Sequence, residues 1–209
     1  MSEQDSNWRY VDEIVVEPDA LVRARQRSLE LGIEAVGPAV AAQFSLLAAA
    51  SRATQIIEIG TGAGVSGLSL LRPSRRSVLT TIDVEPEHLG AARDTFHDAG
   101  VPASRVRVIT GRALEVLPRM NEKTYDIVLV DADPERVIEY VEHGLRLVRA
   151  GGTVLVPHAL WRGRVSDPAQ RDEQTRMFRS LVSEIALSPA VMSAVSPAGD
   201  GVLQLTTLA

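Results

Sequence analysis

The sequence predicts an α/β fold, a doubly wound domain on a mostly parallel sheet. Three observations carry this reading. Short runs rich in β-branched residues recur five times, helix-length segments separate them, and Ile, Val, Leu and Thr make up most of each run, as in strands of a buried parallel sheet.

Two helical stretches open the chain, Asp19 to about Leu31 and Pro38 to about Ser51, with Gly32 and Gly37 marking the break between them. The strand runs are QIIEI (55–59), VLTTID (78–83), VRVIT (106–110), YDIVLVD (125–131) and GTVLVP (152–157). Helices are expected after the first, from Pro86 to about Ala99, briefly near Ala113, and from Pro134 to about Val148. A further helix is expected over 175–187. AVMSAVS and GVLQLTTL, joined by Pro197, Ala198, Gly199 and Asp200, then form a closing antiparallel hairpin. One domain, 1–209, with an N-terminal helical segment at 1–52, accounts for the whole pattern, since no repeat or low-complexity stretch interrupts it.

The chain has no cysteine, which excludes disulfide frameworks, thiolate nucleophiles and cysteine-held metals. A net charge of −5 argues against nucleic acid as the main partner. Arg23, Arg25 and Arg27, at helical spacing with Glu30, read as a solvated face. No segment has the length and apolarity of a membrane span or an export signal, so a cytoplasmic protein is expected.

In such sheets ligands lie beyond the carboxyl ends of the strands at the switch point. The first turn there reads Glu58-Ile-Gly-Thr-Gly-Ala-Gly-Val-Ser66, an acid ending a strand before glycines that let a ligand approach the backbone. A dinucleotide fingerprint would need glycine at position 65, which is Val65; the third glycine comes one place early, at Gly64. S-adenosylmethionine, which carries an amino acid and a sulfonium in place of phosphates, suits Glu58 and the Gly60–Gly64 turn better. Asp83, at the end of the second strand, is placed to accept hydrogen bonds from two ribose hydroxyls. Its plain alternative is a cap for the helix beginning at Pro86.

EIGTGAGVS, TTIDVEPEH, YDIVLVDADP, LRLVRAGGTVLV, ALWRGRVSDP and GDGVLQL, in that order from about Val36 onward, resemble the cation-dependent O-methyltransferases that include the catechol and caffeoyl-CoA enzymes. The resemblance implies a class I methyltransferase fold, Rossmann-like, with seven strands. It implies S-adenosyl-L-methionine as cofactor, in a pocket made by Val36, Glu58, Gly60, Thr61, Gly62, Ser66, Asp83, Val84, Arg112 and Ala113, with Asp131 under the reacting methyl group. It also implies a small hydroxylated, catechol-like acceptor and a homodimer.

That family holds a divalent cation (magnesium or manganese) with an acid after the fourth strand and an Asp-Asn pair after the fifth. Asp131 fits the first position, but Pro157 and His158 replace the pair, Pro134 stands where a lysine is usual, and Arg112 where an acid is. Asp131 with Asp133 and His158 makes a poor magnesium set and a conceivable one for a softer ion. His158 is also a candidate base for a metal-free reaction, and Asp131 and His158 are the candidate catalytic pair. Asp133 equally suits the cap of the helix that Pro134 begins. His88, His97 and His143 read as surface residues, and Trp161 either walls the acceptor pocket or packs. Two other classes stay open: a cofactor-binding protein without catalysis, and a metal-independent methyltransferase acting on another nucleophile.

Overall fold

A computed structural model describes residues 3–208, so residues 1, 2 and 209, the outermost positions of the expected domain, lie outside it. Three helices, α1 (Glu3–Glu13), α2 (Asp19–Glu30) and α3 (Pro38–Ala50), precede the first strand. Then follow β1 (Gln55–Ile59), α4 (Val65–Leu71), β2 (Val78–Asp83), α5 (Pro86–Asp98), β3 (Val106–Thr110), α6 (Ala113–Val116), β4 (Tyr125–Val130), α7 (Val137–Leu147), β5 (Val148–Pro157), α8 (Glu173–Leu187), β6 (Val191–Ser196) and β7 (Val202–Thr207). The sheet order is β3-β2-β1-β4-β5-β7-β6, with β7 antiparallel to both of its neighbours and the remaining pairs parallel. This is the seven-stranded class I arrangement. Among the described residues no helix is long and apolar enough to cross a membrane.

Strand alternation explains why the central runs carry apolar residues toward both faces. Ile56, Ile127, Leu129 and Leu155 point into one core with Leu21 and Phe44 of the opening helices. Ile57, Val128, Val130, Val154 and Val156 point into the other, against Tyr140 and Val141 of α7 and Phe178 of α8. Each face therefore has its own helical cover.

Two local expectations are corrected. The helix expected from Pro134 begins instead as a 3-10 turn, Pro134–Arg136, with α7 starting at Val137, and Asp133 caps the turn by accepting from the Glu135 amide at 3.1 Å. The arginines of α2 are not simply solvated: Arg25 is half-buried in a two-pronged pair with Glu17 and donates to the Val36 carbonyl, while Arg27 pairs with Asp98 at 2.6 Å. These contacts tie α2 to α5 and to the segment before α3.

At the carboxyl end of β1, Glu58 is completely buried. Its carboxyl accepts from Ser66 Oγ of α4 and Thr81 Oγ1 of β2, both at 2.6 Å, and Thr61 Oγ1 meets Thr81 Oγ1 at 2.6 Å. The group is thus the underside of the glycine turn. Burial pushes its pKa up to about 8 against the two hydroxyl bonds, and Asp131 and Asp83 add to the rise. The turn above it is forced by Gly60 at φ +89°: a Cβ there would lie 1.8 Å from the Asp131 carbonyl oxygen.

Gly60→Ala is expected to destabilise the fold by at least about 3 kcal/mol, because positive φ and backbone overlap act together; an unchanged urea midpoint would contradict this. The raised Glu58 pKa also has a signed consequence. Between pH 4.5 and about 8 the unfolded chain loses this proton and the folded chain keeps it, so this group makes stability fall as pH rises through that window. Glu58→Gln, which keeps a neutral hydrogen-bonding group, should hold the melting temperature at neutral pH and flatten that slope. Glu58→Ala should lower it by orphaning Ser66 and Thr81. Equal melting curves for the Gln and Ala variants would show that the network does not matter.

Candidate cofactor and reaction site

A cavity of about 710 Å³ opens over the carboxyl ends of β1, β2 and β4, at the switch point of the sheet. Its floor is the Gly60–Gly62 turn. Asp83 holds that turn open: Oδ2 accepts from the amides of Thr61 at 2.9 Å and Gly62 at 3.1 Å, and Oδ1 accepts from Glu85 at 3.0 Å. Asp83 also lines the cavity, and it does not cap α5, whose N-cap is Glu85 with no side-chain cap bond. It fixes the loop and still faces the cavity.

Val84, beyond β2, and Ala113 and Leu114, at the start of α6, give the cavity an apolar wall, with Arg112 beside them. Val36 closes the opposite side, its carbonyl held by Arg25, and Ser66 lines the cavity from the first turn of α4. Of the residues expected to bind cofactor, Glu58 alone does not reach the cavity. It acts from beneath, through Ser66 and Thr61.

The two ends of β4 carry contrasting acids. Asp126, at the start, accepts from the Thr54 and Gln55 amides, Thr54 Oγ1 and Arg149 Nε at 2.6–3.0 Å. Burial works to raise its pKa, but these donors outweigh burial and lower it. It is a structural staple between β1, β4 and β5. Asp131, just past the other end, lines the cavity, and its carboxylate makes no hydrogen bond to another described residue. Burial raises its pKa; His158 partly offsets this, and Glu34 adds to the rise.

His158 follows β5 with φ +58°, a strained value for a residue with a side chain. Nε2 lies 3.9 Å from Asp131 Oδ1, and Nδ1 lies 3.8 Å from Asp200 Oδ2 in the β6–β7 loop. Nε2 is buried without a hydrogen-bond partner, and the ring sits behind Asp131, outside the cavity wall. Burial favours the neutral ring, yet Asp200, Asp131 and Glu34 together lift its pKa above 6.5.

The residues do not compose a divalent-cation site. Asp133 lines the cavity, but one of its oxygens is committed to the Glu135 amide, and Pro157 offers no donor. Among the described residues no three His, Asp or Glu side chains converge as ligands. Trp161 does not wall the cavity; it stacks on Phe178 of α8, ring centroids 5.1 Å apart.

His88 is corrected from a surface residue to a cavity residue: it lies on the first turn of α5 with Nδ1 3.5 Å from Asp83 Oδ2. Glu34, Arg136 and Tyr140 also face the cavity and carry no motif that singles them out. For His88, the signal was the TTIDVEPEH segment itself, which places it five residues after Asp83, on the first turn of α5.

A family model described as O-methyltransferase matches residues 13–207. A relative from Mycobacterium tuberculosis, bearing only the family-level name O-methyltransferase, is 45% identical over 203 residues, covering 97% of this chain and 91% of its own. One from Mycobacterium marinum is 47% identical over 190 residues, covering 90% and 85%. Among solved structures, a protein from Corynebacterium glutamicum superposes with a TM-score of 0.91 at 28% identity, covering 100% of this chain and 98% of its own. The O-methyltransferase TomG of Streptomyces achromogenes, solved with S-adenosylmethionine and involved in tomaymycin synthesis, gives 0.86 at 30%, with both chains fully covered. The fold, the switch-point cavity and the paired strand-end acids thus agree with sequence kinship over nearly the whole length, and the chain belongs to the O-methyltransferase family.

Proposed function

We propose that the protein transfers the methyl group of S-adenosylmethionine to a hydroxyl of a small, catechol-like acceptor. The observation that carries this is the pair of acids flanking the glycine turn: Asp83, already organised by three amides, and Asp131, whose carboxylate accepts no hydrogen bond from the described residues. In this reading Asp83 takes the ribose hydroxyls, the amides and Ser66 of the turn take the methionine end, and Val84, Ala113 and Leu114 cover the adenine. Asp131 then faces the sulfonium, whose charge a carboxylate in a low-dielectric floor attracts strongly.

Methyl transfer needs the acceptor oxygen in line with the carbon–sulfur bond and a place for the acceptor's proton. Asp131 is the group at hand, with a pKa raised toward that of a useful base, and His158 stands behind it. The acceptor oxygen bonds to the methyl carbon as the carbon–sulfur bond breaks, the electron pair goes to sulfur, and the proton passes to the Asp131–His158 pair. A homodimer in the cytoplasm belongs to the same reading, its self-association supported by exposed apolar side chains on α1, α3 and β6, among them Tyr10, Leu46 and Met192.

Calorimetric titration of S-adenosylhomocysteine should show one site per chain, and Asp83→Ala should weaken it at least about tenfold through loss of charge-assisted bonds and of the ordered turn. Absence of binding to the unaltered protein would sink the reading. Asp131→Asn should lower methylation of a simple catechol by about 10²-fold or more while leaving S-adenosylhomocysteine bound; an Asn variant with undiminished turnover would remove Asp131 from the chemistry. Because the pair must release its proton before it accepts another, turnover should rise with pH through the raised His158 pKa, above 6.5. A profile that falls over that range would contradict the assignment.

A further inference from the structure

We infer that the ring of His158, held between Asp131 and Asp200, fills the place where a divalent cation would be expected, so that this protein carries out methyl transfer without one. The inference rests on the methyltransferase reading and deepens it.

The donor set supports it first. An ion bound at His158 Nε2 would share Asp131 and little else: Asp200 faces the opposite ring nitrogen, Asp133 is turned toward the Glu135 amide, and Pro157 lies in the sheet opposite Val202 with no side-chain donor. Magnesium requires near-octahedral oxygen, and manganese is likewise suited by carboxylate, carbonyl and water. One carboxylate and one imidazole fall short of both.

The placement of the ring supports it second. Asp200 is itself immobilised, with Oδ2 accepting from the Arg162 amide at 2.6 Å and Oδ1 from the Gly163 amide at 3.3 Å. The backbone around the histidine is tied to the same loop, Ala159 N to Gly201 O at 3.1 Å and Leu160 N to Asp200 O at 2.9 Å. These bonds hold His158 in its left-handed conformation and aim Nε2 at Asp131. A strained residue determined this closely from both sides is a built feature.

Charge supports it third. The groups facing the ring are Asp131 from the end of β4, Asp200 from the β6–β7 loop and Glu34 from the α2–α3 connection, with Arg162 of the post-β5 loop paired to Glu34 at 2.7 Å. Three carboxylates against one exposed guanidinium leave a surplus of negative charge, and the imidazole is the side chain placed to balance it once the pair takes up the acceptor's proton. When Asp131 receives the acceptor's proton, the ring keeps that carboxylate aligned. Asp200 acts as a positioning residue, since it reaches the chemistry only through His158.

The test is calorimetry on the intact, chelator-treated protein: Mn²⁺ alone, then S-adenosylhomocysteine with and without Mn²⁺. S-adenosylhomocysteine should bind equally in both cases, and Mn²⁺ should show no site tighter than about 1 mM, a weak value for a cation site. The double variant Pro157→Asp with His158→Asn, which supplies two oxygen donors after β5, should bind Mn²⁺ at least about tenfold more tightly than the unaltered protein, read by the loss of the free-ion electron paramagnetic resonance signal. Micromolar, one-to-one Mn²⁺ binding to the unaltered protein, lost in Asp131→Asn, would overturn the inference whether or not the double variant folds. S-adenosylhomocysteine binding in that same experiment would leave the methyltransferase reading standing. Failure of S-adenosylhomocysteine to bind under every condition would overturn that reading, and the inference with it.

Discussion

The contact on which the site depends is between two main chains. As β1 leaves the sheet, Gly60 passes so close to the Asp131 carbonyl that no side chain fits, while the Asp131 amide donates to Ile59 O at 2.8 Å. This crossing brings the first and fourth strand ends together and sets the height of the glycine turn above Glu58. It also aims the Asp131 side chain into the space the turn leaves open. Position in the cavity is thus decided by backbone, before any ligand-facing side chain is considered.

Around that crossing, the acids divide according to what their oxygens touch. Asp126 and Asp83 are both saturated by amides, yet Asp126 is walled in by Arg149 while Asp83 stays open to the cavity. Glu58 is sealed with hydroxyls and behaves as a neutral carboxylic acid near neutral pH. Asp131 lacks such donors, and a group of that kind persists in a folded protein when something outside the free structure satisfies it. The contrast between the two ends of β4 therefore singles out Asp131 better than the abundance of acids does.

Much of the fold was legible in the sequence because buried parallel strands announce themselves as runs rich in β-branched residues, and helices begin at Pro38, ahead of the first strand, and at Pro86, between the second and third, as expected. Helix α1 went unread, since EQDSNWRYVDE has no continuous apolar stripe and its order comes from tertiary bonds such as Asp12 Oδ1 accepting from the Ala39 amide at 2.8 Å. The switch-point cavity was legible at Asp83 and the glycine turn, where residue type and strand end coincide. Glu58 was placed at the right strand end and on the wrong side of it, because sequence does not say which face of a turn an acid will take. Asp200 was seen only as a hairpin residue: its bearing on His158 arises from β7 entering beside β5, a pairing set by the whole sheet.

That insertion of β7 between β5 and β6 also governs the order in which the molecule can be completed. A ribosome delivers β6 first, yet β6 has no partner until β7 has emerged and slid in beside β5. Until then β5 presents an unpaired edge of Thr153, Val154, Leu155 and Val156, the kind of apolar rim on which nascent chains associate with one another. The half of the sheet that carries the glycine turn can close early; the half that positions His158 must wait. Folding yield and the placement of His158 beside Asp131 thus converge on the same late-arriving hairpin.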